Sequence, residues 1–254
     1  MRHKMKKIGI LGGLAWPATI EYYKAICQLS QSYHSQFEFN GPSPMPEMCI
    51  ESVNINHSFN HRGQIGNDSS WKEYDAYFNA ALKRLEMNGA DFAIITANTL
   101  HTRFESITNN INIPVLSIYE AVANECKKHG IDQFMLLGTE PTMKSNSLPD
   151  FMKSKGIDAF PPPDTEMQLK VIRLISDLFE GKTENGRTLL NEVVASSYQQ
   201  KDTKHRTVCL ACTELPLAFA GKEQLAIFTE DEVIYLNTTI IHAKAAFDYA
   251  VQSF

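Results

Sequence analysis

Ala90-Asp91-Phe92-Ala93-Ile94-Ile95-Thr96-Ala97-Asn98-Thr99-Leu100-His101 decides how this chain folds. Its apolar run does not alternate with polar residues, so it reads as a strand buried on both faces, the signature of a parallel sheet. The run stops at a small residue, Ala97, and passes into Asn98-Thr99, types that suit a helix start or the grip on a ligand. The same grammar recurs in Arg206-Thr207-Val208-Cys209-Leu210-Ala211-Cys212-Thr213-Glu214-Leu215-Pro216-Leu217. Aligning the two strand ends sets Ala97-Asn98-Thr99 against Cys212-Thr213-Glu214. A thiol stands in one copy where the other has only a methyl group.

Outward from these two segments, short apolar strands alternate with helical patterns, as expected of an α/β fold with crossover helices. Strands are predicted at Lys7–Leu11, Met48–Asn54, Ala90–Thr96, Gln133–Leu137 and Thr207–Leu210. Helices are predicted at Trp16–Ser32, Ser70–Asn88, Arg103–Asn110, Tyr119–His129, Pro141–Lys155, Thr165–Phe179, Gly186–Gln200 and Thr238–Ser253. Gly12-Gly13-Leu14 in the first half matches Gly138-Thr139-Glu140 in the second, so each half has a strand ending in glycine and a later one ending in the polar motif. This order predicts two pseudo-symmetric lobes, each a parallel sheet flanked by helices. The boundaries expected are 1–115 for the first lobe, 116–227 for the second, and 228–254 for a C-terminal segment returning to the first. Asn40–Pro46 and His57–Ser69 have the composition of loops.

The chain has 254 residues, 43% hydrophobic and 21% charged, with a formal net charge of −5, the composition of a soluble globular protein large enough for two cores. It lacks the basic footprint of a nucleic-acid binder and any apolar run long enough to span a membrane. The basic start, Met1 to Lys7, leads into a strand rather than a signal-peptide core, so a cytoplasmic location is expected. Five cysteines, odd in number and scattered, suit reduced thiols.

Cys212 is the first candidate for chemistry. At the carboxyl end of a parallel strand and the start of a helix, its thiolate would be stabilised by the helix dipole and free N–H groups, although free cysteine is also a common buried packing residue. Cys209-Leu210-Ala211-Cys212 has dithiol or zinc spacing, but no second pair exists and Cys209 lies inside the strand, so no metal is expected. Asn98, Thr99, Thr213 and Glu214 could hold a small carboxylate at two helix starts, or serve only as caps. Gly12-Gly13 could admit an anion to the backbone, and His101 is a possible base or a packed residue. His57 and His61 have the i, i+4 spacing of a helical metal pair but lie in loop-like sequence without a carboxylate in the motif.

Taken in order, these motifs resemble the aspartate/glutamate racemase family, in particular its broad-range amino-acid racemase branch. The resemblance runs from Ile8-Gly9-Ile10-Leu11-Gly12-Gly13-Leu14-Ala15-Trp16-Pro17-Ala18-Thr19 and Tyr22-Tyr23 through Gly89-Ala90-Asp91, Asn98-Thr99-Leu100-His101 and Ile113-Pro114-Val115-Leu116. It continues through Leu136-Leu137-Gly138-Thr139, Thr142-Met143, Cys212-Thr213-Glu214-Leu215, Thr238-Thr239 and His242-Ala243. The resemblance implies a cofactor-independent (PLP-independent) isomerase, expected as a homodimer, with the active site in the cleft between the lobes. One thiol removes the α-proton of an amino acid and a second returns it on the opposite face. It implies that Cys212 is the second thiol and that Asn98, Thr99, Thr139, Thr142, Thr213 and Glu214 are substrate or support contacts.

Three departures stand out: Ala97 occupies the first thiol position, Ala15 and Pro17 replace Ser and Glu, and Glu140 stands where a basic residue is common. Thr96, Thr99 or His101 could partly replace the missing group. Two other functions fit the same motifs: single-thiol chemistry such as decarboxylation, which needs one proton donor, and non-catalytic binding of a small acid.

Overall fold

In a computed structural model, residues 5–35, 41–64, 66–198 and 206–252 are described. The chain forms two compact units, Met1–Ser117 with His242–Phe254, and Ile118–Ile241. In chain order the first unit contains β1 (Ile8–Gly12), α1 (Trp16–His34), β2 (Met48–Ser52), α2 (Ile55–Asn60), α3 (Lys72–Met87), β3 (Phe92–Ile95), α4 (Asn98–His101), α5 (Phe104–Thr108) and β4 (Val115–Leu116). Its sheet has the order β2-β1-β3-β4, with every pairing parallel. Phe78, Ala81, Leu82 and Leu85 of α3 repeat at helical spacing and pack with Leu11, Ala93 and Ile95 from the strands. Burying each large side chain of that stripe contributes about 1.5–3 kcal/mol. The packing is close at Gly9, where a Cβ would lie 3.0 Å from Ala90 Cβ and 3.2 Å from Leu85 Cβ of α3.

The second unit contains α6 (Ile118–Lys128), β5 (Gln133–Gly138), α7 (Glu140–Lys144), α8 (Ser147–Ser154), β6 (Asp158–Phe160), α9 (Thr165–Phe179), α10 (Gly186–Tyr198), β7 (Arg206–Ala211), β8 (Ile227–Glu230) and β9 (Val233–Asn237). Its sheet runs β6-β5-β7-β9-β8. The first four strands repeat the order of the other sheet, so β1 and β3 correspond to β5 and β7. The core lies where Val171, Leu174 and Leu178 of α9 and Leu190, Val193 and Val194 of α10 pack with Met135, Leu137, Val208 and Leu210. Helix α11 (Thr238–Val251) begins in the second unit and passes into the first at His242. There Lys6 N donates to Ala250 O at 2.9 Å and the Phe92 ring meets Tyr249 edge-on at 4.8 Å.

Several expectations need correction. The return to the first unit begins at His242 rather than 228, because β8 and β9 are strands of the second sheet. That sheet is not wholly parallel: β8 pairs antiparallel with β9 at one edge. The predicted helix Pro141–Lys155 is two helices, separated where Ser145 is extended and its Oγ accepts from Ser147 N at 3.1 Å, offering the backbone a turn in place of a helical bond. Part of the expected loop His57–Ser69 is α2, whose start is capped by Asn54 Oδ1 on Asn56 N. The predicted residues Asn40, Gln200 and Ser253 lie outside the described residues. No helix among the described residues is long and apolar enough to cross a membrane.

Candidate active site

The register of each sheet brings its polar motif to a corresponding place. In the first unit Leu11 pairs with Ile95, and Thr96 N donates to Leu11 O at 3.0 Å, which carries Ala97 just past the strand end. In the second, Gly138 pairs with Ala211, and Cys212 follows immediately. Both residues therefore emerge at the carboxyl end of a central parallel strand, where open α/β sheets bind ligands.

Ala97 is extended (φ −145°, ψ 125°) and takes the N-cap position of the single-turn α4 without a side-chain hydrogen bond. Its methyl is half-buried against the core that α3 forms with the sheet. Asn98 is buried and Thr99 half-buried on α4. Two of the three residues that could replace a thiol here, Thr96 and His101, are already engaged. Thr96 is buried and its Oγ1 donates to Leu11 O at 3.1 Å. His101 is 2% exposed, its Nδ1 donates to Ala97 O at 3.0 Å, and burial pulls its pKa down to about 4, so it is neutral at pH 7.

The Gly12-Gly13 turn is filled by the protein itself rather than left open to an anion. Thr19 Oγ1 accepts from Gly13 N at 2.9 Å, and a Cβ on Gly12 would lie 2.5 Å from that oxygen. Gly13 has φ 87° and lies against the backbone of Val53, where a Cβ would come within 2.3 Å of the carbonyl oxygen. Only glycine meets both conditions.

In the second unit Cys212, Thr213 and Glu214 form one cluster. The Cys212 Sγ–H donates to Glu214 Oε2 at 2.9 Å, and Thr213 Oγ1 donates to the same oxygen at 2.9 Å. Glu214 is 5% exposed. No α-helix starts directly after Cys212. The chain makes one 3₁₀ turn, Leu215–Ala218, opened by Pro216, so the expected helix dipole is lacking. Burial and the Glu214 carboxylate instead push the thiol well above its ordinary pKa, the opposite of the sequence expectation. Cys212 rests protonated, its thiol hydrogen directed at the Glu214 carboxylate.

Thr139 and Cys212 leave adjacent strands at the same level. Thr139 caps α7 by position, and its Oγ1 lies 3.0 Å from that of buried Thr142. Glu140, in contrast, is 56% exposed at its side chain and paired with Lys144 Nζ at 2.6 Å, so its charge is neutralised along α7. A depression of about 550 Å³ lined by Asp132, Lys153 and Asp158 opens at the amino ends of β5 and β6, the end remote from Cys212.

The remaining sequence candidates do not gather a metal site. No group of three or more His, Cys, Asp or Glu suited to a metal occurs among the described residues. All five cysteines are free, and Cys209 is buried in β7. His57 and His61 stack with centroids 4.0 Å apart, and His61 Nδ1 donates to His57 O. Sequence reasoning missed the hydrogen bond between Cys212 and Glu214, although the two-residue spacing in a turn was its signal. It named His242 only within the motif order of the resemblance and gave it no role.

The profile of the Asp/Glu/hydantoin racemase family matches residues 11–246. The chain is 28% identical over 150 residues to the broad specificity amino-acid racemase RacX of Bacillus subtilis (strain 168), a match spanning 59% of this chain and 61% of that protein. A crystal structure of an aspartate racemase homologue from Pyrococcus horikoshii OT3 aligns with a TM-score of 0.77 at 28% identity, covering 98% of this chain and 100% of the other. The fold is also that of an aspartate racemase from Picrophilus torridus, with a TM-score of 0.69 at 20% identity over 96% of this chain and 94% of that one.

Proposed function

The chain belongs to the Asp/Glu/hydantoin racemase family, and we propose on that footing that it is an amino-acid racemase working without a cofactor, by removal and return of an α-proton at Cys212. The observation that carries this reading is the thiol of Cys212 hydrogen-bonded to the nearly buried carboxylate of Glu214. As a thiol, Cys212 protonates a carbanion. After transfer of its proton to Glu214, the thiolate is a base for the reverse step, so one residue pair serves both directions on one face of the α-carbon.

Inversion also requires a proton on the other face. In the first unit the corresponding strand end offers Ala97, whose methyl neither gives nor takes one. Thr96 and His101 are committed to backbone carbonyls, and we assign the weaker acid–base role on this side to Thr99, the remaining protic candidate of the motif. The proposed enzyme is therefore asymmetric, with α-proton exchange faster than inversion. Thr139, Thr142, Asn98 and Thr99 are assigned to the substrate carboxylate and its supports, and Thr213 to orienting Glu214. Cytoplasmic residence and a homodimer belong to the same proposal, the latter tested by sedimentation equilibrium.

Chiral chromatography of common amino acids, each incubated as a single enantiomer, tests the activity. Appearance of the opposite enantiomer supports it. A product lacking carbon dioxide would assign single-thiol decarboxylation instead, and saturable binding without conversion would assign a binding protein.

A further inference from the structure

Three buried side chains of the first unit converge on two backbone carbonyls at its strand ends. His242, on α11 and fully buried, has Nε2 3.1 Å from Leu116 O and Nδ1 3.0 Å from Tyr22 Oη. A carbonyl can only accept, so Nε2 carries the hydrogen, and Nδ1 accepts from the phenol. His101 is hydrogen-bonded through Nδ1 to Ala97 O at 3.0 Å, and its ring also meets the Leu116 carbonyl. The two imidazoles stand edge-on with centroids 5.8 Å apart. A neutral His101 has one N–H for two acceptors, Ala97 O and Leu116 O. Leu116 O already accepts from His242 Nε2, which makes it the weaker of the two acceptors for His101.

We infer that His242 is a positioning residue for the strand end at Ala97: by donating from Nε2 to Leu116 O, it directs the single N–H of His101 to Ala97 O and so holds the peptide from which Asn98 and Thr99 project. Tyr22 completes the device by donating its hydroxyl hydrogen to Nδ1, which reinforces the Nε2–H tautomer that the acceptor-only Leu116 carbonyl sets. The network joins α1, α11, the end of β4 and α4, segments with no sequence proximity, and a buried polar network of this kind specifies one arrangement only when each member is satisfied. Its bearing on catalysis rests on the racemase reading. Its tautomers do not.

The test is long-range ¹H–¹⁵N correlation of the histidine side chains at pH 7. The inference requires the Nε2–H tautomer for His242 and Nδ1–H for His101 in the unmodified protein, and either of the opposite tautomers there overturns it without any variant. In His242→Phe, which keeps an aromatic ring and removes the donor, His101 should shift toward Nε2–H. Persistence of Nδ1–H in a folded variant would also overturn it. Tyr22→Phe should let His242 sample both tautomers, and an unchanged His242 would contradict the role given to Tyr22. If the protein exchanges amino-acid α-protons, kcat/KM should fall roughly tenfold or more in His242→Phe through misplacement of the strand end. Absence of exchange in the unmodified protein would instead reject the racemase reading and leave the tautomer result standing.

Discussion

Cys212 donates its thiol hydrogen to Glu214, with Sγ and Oε2 2.9 Å apart, and both residues sit just beyond the end of β7. A carboxylate so close opposes a thiolate, so the pair holds its proton until a substrate or product draws it away. Glu214→Gln removes the negative charge and should lower the thiol pKa. Alkylation of Cys212 by iodoacetamide should then reach half its limiting rate at a lower pH than in the unmodified protein, while α-proton exchange falls. An alkylation profile unmoved by the substitution would show that burial alone sets the thiol.

The buried histidines make stability depend on pH. Burial lowers His101 to about 4 and His242 to about 3, His101 itself opposing charge on His242. Below about pH 6.5 the unfolded chain binds protons at these residues and the folded chain does not. Their contribution to stability is therefore complete above pH 6.5 and is lost as pH falls toward 4 and 3. Between pH 6 and 5 the two together should cost about 2 kcal/mol. Urea unfolding across that interval measures the loss, and His101→Gln should reduce its slope.

Gly13→Ala tests the turn after β1. The new Cβ meets the Val53 carbonyl oxygen at 2.3 Å in a backbone with φ 87°, so strain and collision add. A destabilisation of at least about 2 kcal/mol is expected in urea unfolding. Gly89→Ala, with φ 75° and open space around its Cβ, carries the conformational strain alone and should cost less.

How far the sequence was legible follows from where the information lies. The uninterrupted apolar runs Phe92–Ile95 and Val208–Ala211 announced central parallel strands, because burial on both faces leaves no polar alternation. Strands β4 and β6, of two and three residues, carry too little pattern to separate from loop, and β8 and β9 were hidden because only the pairing of β9 with β7 and of β8 with β9 makes them part of a sheet. Cys212 was recognisable from its place after an apolar run. Its electrostatics were not, since they turn on whether an α-helix or a 3₁₀ turn follows. His242 was invisible as a functional candidate because its partners, Tyr22 and Leu116, are distant in sequence.

Ala97→Cys restores a thiol at the strand end corresponding to Cys212. Racemisation should rise by roughly 10²-fold, the gain expected of one positioned acid–base group. Ala97→Ser is the control, since its hydroxyl has similar reach and much weaker acidity. A folded cysteine variant whose residue 97 reacts with alkylating agents, yet which racemises no common amino acid faster than the unmodified protein, would contradict the asymmetric mechanism.

The central claim is that Cys212 carries the proton. Solvent-to-substrate exchange at the α-carbon in deuterium oxide, followed by NMR over a panel of amino acids for the unmodified protein, Cys212→Ser and Cys212→Ala, tests it most directly because exchange reports proton removal even where inversion fails. The account predicts exchange with at least one amino acid and a loss of roughly 10²-fold or more in both variants. Equal exchange in all three proteins, or none with any amino acid in the unmodified one, would contradict it.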